Sequence, residues 1–586
     1  MTRPDRTLVE MFERTCAEHA TRPALGPKQG GEWRFLSYGE LHGLVERLRG
    51  GLARLGVEPG DRVAIVADNR VEWVVAAYAT YGLEATLVPL YEAQKPAERE
   101  FIVRDSGARV AFAATAEIAQ ALREARPTLP ALEHVVELRK GAPEPSYESL
   151  LRAGAESPRD PKLPDPEAIA TIIYTSGTTG KPKGVRLSHG NILSNVNAVH
   201  DMFSFTEEER SLSFIPWAHV FGQTCELHTM LSLGASIAIN DELKHLPENL
   251  KEVAPTVLVA VPRIFNRIFA AVHAQVAERP LLVRKLFDAG IRAGRNRAEG
   301  RASSVVEELA VHIADPLIFA KVRERFGGRL KYAVSGGAAL APEVAELIQG
   351  LGITVYEGYG LTETSPMVSA NRPGNVRLGS VGRVVPGVTV RIDRDASRDG
   401  RDGEIVVFGP NVMKGYHNRP EEQQKAFTPD GGFRTGDLGY LDEDGFLHVT
   451  GRIKEQYKLE NGKYVAPVPL EEELKLSPYV ANAMIYGANR PYNVALVVLA
   501  MDAVRKWAEA EGIRSEDLAA EPRVASLIQR EIEARSAVFK DYERPRHFIL
   551  TVDDFTVENE LLTPSLKLKR PRVVERYGAA LDSLYS

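Results

Sequence analysis

Apolar residues recur along the first 160 residues in two alternating spacings. Leu41, Leu44, Val45, Leu48, Leu52 and Leu55 follow the three-to-four spacing of one helical face. The turn Glu58-Pro59-Gly60-Asp61 ends that unit, and Arg62–Val66 reads as a buried strand. A second helix and a strand over 85–88 repeat the pattern, so the chain opens as α/β layers with much parallel sheet. The longest apolar run, 73–91, raises the question of a membrane span. Gly82, Glu84 and Pro89 interrupt it, and a charge at the bilayer centre costs about 3 kcal/mol. The run therefore predicts a buried helix followed by a strand.

Six prolines over 140–166 predict a surface connection there rather than an element. From 168 to 395 the alternation resumes, with strands expected over 169–174, 211–215, 235–239, 256–260, 330–334 and 353–357. An Arg- and Ala-rich helical stretch fills 263–328. From 379 the texture changes to short strands between glycine turns, an antiparallel β pattern. Beyond it the chain is mixed α+β, with a strand over 494–500 and helices near 502–540.

Composition narrows the class. The 586 residues are 44% hydrophobic and 26% charged, enough apolar surface for large cores, which excludes disorder as the main state. At roughly 100–200 residues per domain, three to six domains are expected. A net charge of −6 gives no global attraction to nucleic acid or to an anionic membrane. Cys16 and Cys225 are the only cysteines, so no disulfide framework or CxxC cluster exists. The first residues lack the apolar core of a signal peptide, and a cytoplasmic protein is expected.

The densest chemistry lies in Tyr174-Thr175-Ser176-Gly177-Thr178-Thr179-Gly180-Lys181-Pro182-Lys183-Gly184, directly after a strand. Glycines let the backbone approach an anion, hydroxyls donate, and lysines neutralise, so the loop suits phosphate. A solvated hairpin turn is the alternative. It is not a Walker A loop, because Pro182 follows Lys181 and Thr175 stands at the first glycine position.

Further motifs follow in order. They are Phe214-Ile215-Pro216-Trp217-Ala218-His219-Val220-Phe221-Gly222, then Ser335-Gly336-Gly337-Ala338, then Tyr356-Glu357-Gly358-Tyr359-Gly360-Leu361-Thr362-Glu363. Arg434-Thr435-Gly436-Asp437, Gly451-Arg452-Ile453-Lys454 and Leu562-Thr563-Pro564-Ser565-Leu566-Lys567-Leu568-Lys569-Arg570 complete the series. Alone, each has a plain reading. Tyr359 could be a core tyrosine, Glu363 a solvated acid, and Arg434–Asp437 a turn salt bridge.

Taken in order, the series resembles the adenylate-forming (AMP-binding) superfamily, closest to the long-chain fatty acyl-CoA synthetases. Val261-Pro262-Arg263-Ile264-Phe265, the insertion ending at Leu330 and Lys463-Tyr464-Val465-Ala466-Pro467 carry the long-chain likeness. The resemblance implies a large multi-sheet N-terminal domain over 1–453, with α/β subdomains to about 378 and a β subdomain over 379–453. A small, mobile α+β C-terminal lid would cover 454–586. The implied reaction is MgATP-dependent adenylation of a fatty acid, then thioester formation with CoA. A fatty-acyl-AMP ligase, or a ligase for a medium-chain or aryl carboxylate, is the alternative.

The resemblance also implies roles. ATP or AMP would meet Thr175, Ser176, Gly177, Thr178, Thr179, Gly180, Lys183, Gly336, Gly337, Ala338, Glu357, Gly358, Tyr359, Gly360, Thr362, Asp437, Arg452 and Lys567. Lys567, His219, Thr362 and Glu363 would serve catalysis, with Glu363 binding Mg²⁺ and Lys569 the runner-up for Lys567. His219, Val220, Phe221, Gly336 and Leu361 would face the acyl group, although plain core accounts equally for the apolar ones. Lys458 would serve the thioester-forming face and Lys454 the hinge. Partners would be fatty acid, ATP and CoA, with no nucleic acid and no carrier domain. Peripheral association with the inner membrane face is left open.

Overall fold

The computed structural model describes residues 5–175, 182–277, 279–298, 304, 319–396, 402–563 and 567–585. The expected alternation builds two large sheets. One has seven strands in the order Gly415–Tyr416, Lys183–Ser188, Ile169–Thr175, Thr86–Leu90, Arg62–Val66, Val110–Ala113 and His134–Glu137. Its inner pairs run parallel, while Lys183–Ser188 turns back antiparallel on Ile169–Thr175. The other has ten strands, and Arg210–Ser213, Val257–Ala260, Tyr332–Ser335 and Thr354–Gly360 form its parallel centre. All six strands expected in the middle of the chain form, with ends within three residues of those expected.

The run over 73–91 resolves as expected. Helix Val71–Tyr81 buries every residue from Trp73 onward, and strand Thr86–Leu90 is wholly buried. Among the described residues no helix is long and apolar enough to cross a membrane. The helical stretch supplies Pro262–Ala277, Leu281–Ala298 and Ala320–Arg325, and 305–318 lie outside the described residues.

One expectation fails. Within 140–166 the chain forms a helix, Tyr147–Glu156. The six prolines all lie outside it, so none interrupts its hydrogen bonds. Ser146 caps it reciprocally: its hydroxyl accepts from Ser149 N at 3.2 Å, while Ser149 Oγ accepts from Ser146 N at 2.9 Å. Helix Tyr38–Arg54 packs against it through glycines. A Cβ on Gly154 would lie 1.7 Å from the Arg47 carbonyl oxygen, so only glycine permits this approach.

The β pattern from 379 becomes a four-stranded antiparallel sheet ordered Thr389–Asp393, Gly403–Phe408, Phe433–Leu441, Leu447–Arg452. Beyond it, Val480–Tyr486, Asn493–Leu499 and Pro545–Thr551 form a separate sheet. Helices Met501–Ala510 and Pro522–Ser536 pack on that sheet through Val504, Val524 and Ile528.

Candidate active site

Strand Thr354–Gly360 carries the Glu357–Gly360 motif at its carboxyl end, the edge of a parallel sheet where ligands bind. The Tyr359 hydroxyl donates to Asp437 Oδ2 at 2.7 Å, and Arg452 Nε donates to Asp437 Oδ1 at 2.6 Å. Asp437 and Arg452 stand opposite each other on neighbouring strands of the four-stranded sheet. Three residues from two sheets are thus wired together around a buried carboxylate. A carboxylate offers about four lone-pair directions, so two stay able to accept from a ligand. The Asp437 charge raises the pKa of Arg452; burial, then Asp437, raises that of Tyr359, keeping both as donors.

Arg434 does not join this cluster. It pairs with Glu404 at 2.5 Å and Asp393 at 3.1 Å, on strands Gly403–Phe408 and Thr389–Asp393, so Arg434 and Asp437 do not form a local turn salt bridge with each other. The two glycines beside Tyr359 also differ. A Cβ on Gly360 would meet the Pro366 carbonyl oxygen at 1.7 Å, whereas one on Gly358 would sit at an ordinary 3.4 Å from Ser369 O. Gly360 is needed for the backbone approach to Pro366.

Thr362 and Glu363 follow in a short 3-10 turn, Thr362–Thr364, with Thr362 buried. Tyr416 donates to Glu363 Oε1 at 2.9 Å. Thr175 ends its strand opposite Lys183, and Ser176, Gly177, Thr178, Thr179 and Gly180 lie outside the described residues. Lys183 pairs with Glu422, and its ammonium stands 5.5 Å from the centre of the Tyr416 ring. Its charge is therefore already engaged at the start of its strand.

Gly336, Gly337 and Ala338 follow strand Tyr332–Ser335. Glu357 holds this segment, accepting from Leu340 N at 2.9 Å, and burial pushes its pKa up to about 7. Phe221 packs on Gly336, whose added Cβ would reach Phe221 Cζ at 2.9 Å. Val220 belongs to the core with Trp217 and Leu227. The Leu361 amide donates to Pro366 O at 3.1 Å.

His219 precedes a π-helical segment, Phe221–His228. Burial, then the Lys567 charge, lowers its pKa to about 4, so its imidazole is neutral at pH 7. Asn69 braces the approach to it. Its side chain accepts from Trp217 N at 2.8 Å and donates to Ile215 O at 2.8 Å and Ser213 Oγ at 3.0 Å. Ser213 in turn donates to the buried Glu226 at 2.5 Å. Asn69, Glu226 and Tyr416 escaped sequence reading, because their partners lie far off in sequence or carry no motif.

Lys567 arrives on a hairpin from the other end of the chain. Leu562 and Leu568 bridge its base, Thr563 N donates to Lys567 O at 2.8 Å, and Lys567 N donates to Thr563 Oγ1 at 3.0 Å. The Lys567 ammonium has no hydrogen bond or ion pair among the described residues. Its side chain is exposed to water, yet enough protein surrounds it to desolvate the ammonium. Desolvation, then the Arg452 charge, lowers its pKa, while Asp437, Glu363 and Glu455 oppose the shift. Lys569 stands just before helix Arg570–Asp582 without a capping hydrogen bond, and its charge acts on Glu560. Lys454 is exposed, and Lys458 lies over the Tyr464 ring at 5.8 Å.

Lys567 thus lies within the fields of Arg452, Asp437 and Glu363 from far earlier in the chain, and similarity to known proteins covers both parts. The AMP-binding enzyme pattern matches residues 12–417, and the AMP-binding enzyme C-terminal domain matches 454–586. The chain belongs to the AMP-binding enzyme family. Among its relatives in that family, long-chain-fatty-acid–CoA ligase FadD15 of Mycobacterium bovis is 33% identical over 592 residues, covering 95% of this chain and 93% of that protein. The peroxisomal long chain acyl-CoA synthetase 6 of Arabidopsis thaliana is 32% identical, covering 95% and 82%. Among solved structures, the adenylation domain of a carboxylate reductase from Mycobacterium chelonae matches at a TM-score of 0.81 and 25% identity, over 100% of this chain and 92% of that one. ATP-bound MatB from Rhodopseudomonas palustris shares the fold at a TM-score of 0.72 and 23% identity, over 99% and 100%.

Proposed function

We propose that this AMP-binding enzyme is a long-chain fatty acid–CoA ligase. A fatty acid carboxylate oxygen attacks the α-phosphorus of ATP, the bond to pyrophosphate breaks, and acyl-AMP forms. The CoA sulfur then attacks the acyl carbon, the bond to AMP breaks, and the thioester leaves. The observation that carries this reading is the Lys567 ammonium, without a partner among the described residues, within the fields of Asp437, Arg452 and Glu363. Two anions must meet in the first step, and a preorganised cation stabilises both as charge develops.

Asp437 and Arg452 would hold the ribose and Tyr359 the adenine. Glu363 fits Mg²⁺: one oxygen is held by Tyr416, and the other has no partner among the described residues. One carboxylate suffices, since Mg²⁺ keeps phosphate and water as its other ligands. Bound there, Mg²⁺ would neutralise phosphate charge. His219, neutral at pH 7, would gate the path between the carboxylate and CoA without adding a charge. Residues 454–586 would rotate about Lys454 between the two steps, withdrawing Lys567 and bringing Lys458 forward.

The test is a panel of carboxylates assayed with ATP, with and without CoA, following AMP and thioester together. Palmitate and oleate should outperform acetate and benzoate, with thioester formed only when CoA is present. A preference for either small acid would overturn the substrate assignment. AMP release without thioester would overturn the CoA step.

A further inference from the structure

Five neighbouring contacts join two motifs that the fold carries on different sheets. Glu363 follows the ten-stranded sheet, whereas Lys183 starts a strand of the seven-stranded one. The segment 413–417 runs between them. Met413 N donates to the Glu363 carbonyl at 2.9 Å, and Lys414 N and His417 N donate to Arg186 O at 2.9 Å and Gly184 O at 2.7 Å. Tyr416 lies opposite Val185 in this pairing. Its hydroxyl reaches Glu363 Oε1 at 2.9 Å, and its ring faces the Lys183 ammonium at 5.5 Å.

We propose that Tyr416 is a positioning residue that fixes the Glu363 carboxylate and the Lys183 ammonium relative to each other, and so sets the affinity for the metal–nucleotide pair. The phenol spends its single proton on one carboxylate oxygen, which orients the other toward the cleft. The ring meanwhile attracts the ammonium through its face. One side chain thereby ties the acid expected to hold Mg²⁺ to the strand leaving the phosphate loop. This inference rests on the reading that Glu363 holds Mg²⁺.

Tyr416→Phe keeps the ring and deletes the hydrogen bond, which makes it the informative variant. Mn²⁺ is titrated into the intact enzyme with α,β-methylene-ATP and followed by electron paramagnetic resonance, with Glu363→Gln in parallel. Losing a hydrogen bond to a charged group should weaken Mn²⁺ binding about tenfold in Tyr416→Phe. Nucleotide binding without metal should change less than twofold, because the ring remains. Tyr416→Leu should weaken both. Unchanged Mn²⁺ binding in Tyr416→Phe, with weakened binding in Glu363→Gln, would overturn the role of Tyr416 alone. Unchanged binding in Glu363→Gln would overturn the metal reading beneath it. Thermal melts of each variant separate these outcomes from loss of fold.

Discussion

Asp437 and Lys567 lie within each other's electrostatic reach, yet the fold holds them in opposite ways. Asp437 is buried, and two donors from two sheets fix both of its oxygens. Lys567 is carried on a hairpin closed by its own backbone, and its ammonium has no partner among the described residues. A group that only binds can be locked by neighbours, because its task does not change during the reaction. A cation that must meet charge as it develops gains from being held by its backbone with its head unpaired. The difference predicts that damage at Asp437 appears in stability and ATP binding, while damage at Lys567 appears in the chemistry.

Asp437→Ala should give the largest loss of stability, because it leaves Arg452 charged and unpaired. Removing one partner of a fully buried pair costs about 3–5 kcal/mol. Arg452 is 34% exposed, so about 2–3 kcal/mol is expected in urea unfolding, with a raised KM for ATP. A loss below about 1 kcal/mol would mean that the triad is not locked.

Buried Glu226 gives a pH-dependent effect of similar size. Burial raises the Glu226 pKa to about 7, above its ordinary 4.5. Between those values the folded state binds more protons than the unfolded one, so this group's contribution is present below pH 4.5 and is lost as pH rises through 7. Glu226→Gln cannot ionise. Urea unfolding at pH 4.5 and pH 8 should therefore shift in the variant's favour by up to about 3 kcal/mol across that interval. Buried His189 and His228, whose pKa values fall, act in the opposite direction but cancel in the difference between the two proteins. A pH-independent difference would place Glu226 in an ordinary environment.

The Tyr359 flanks should separate next. Gly360→Ala forces a Cβ to 1.7 Å from Pro366 O, while Gly358→Ala meets only a 3.4 Å contact. Melting should show a loss of about 1–3 kcal/mol for the first and less than 1 for the second. Equal losses would refute the steric account.

The smallest effect tests how the lysine hairpin is steadied. Lys95 pairs with Glu560, seven residues before Lys567, and both are partly exposed. Lys95→Met should change stability by less than about 1 kcal/mol and slow pyrophosphate exchange about twofold, an effect that added salt removes in the wild type. Salt-independent rates in the wild type would show that the pair does not steady the hairpin.

The layers and most strands were legible in the sequence because their signals are local. A continuous apolar run after a turn placed Arg62–Val66, and period-3.6 spacing placed the helix carrying Leu41, Val45, Leu48 and Leu52. The helix at 147–156 was hidden because proline density was read over the whole connection rather than by position. At the site, glycine-rich and hydroxyl-rich motifs marked the segments, but not their contacts. Tyr416 lies 53 residues from Glu363, and Asn69 lies 148 residues from Trp217. Such partners meet through sheet order and register, which no single segment encodes. The steric need for Gly360 was likewise unreadable, since it depends on where Pro366 folds back.

The most direct measurement is Lys567→Ala assayed separately on the two half-reactions, with melting as a check on the fold. Carboxylate-dependent ATP–pyrophosphate exchange should fall about 10²–10³-fold, the usual loss for one preorganised donor at developing charge. Thioester formation from preformed acyl-AMP and the melting temperature should stay near wild type. Equal losses in both half-reactions, or unimpaired exchange, would contradict the role given to Lys567 and with it the contrast with Asp437.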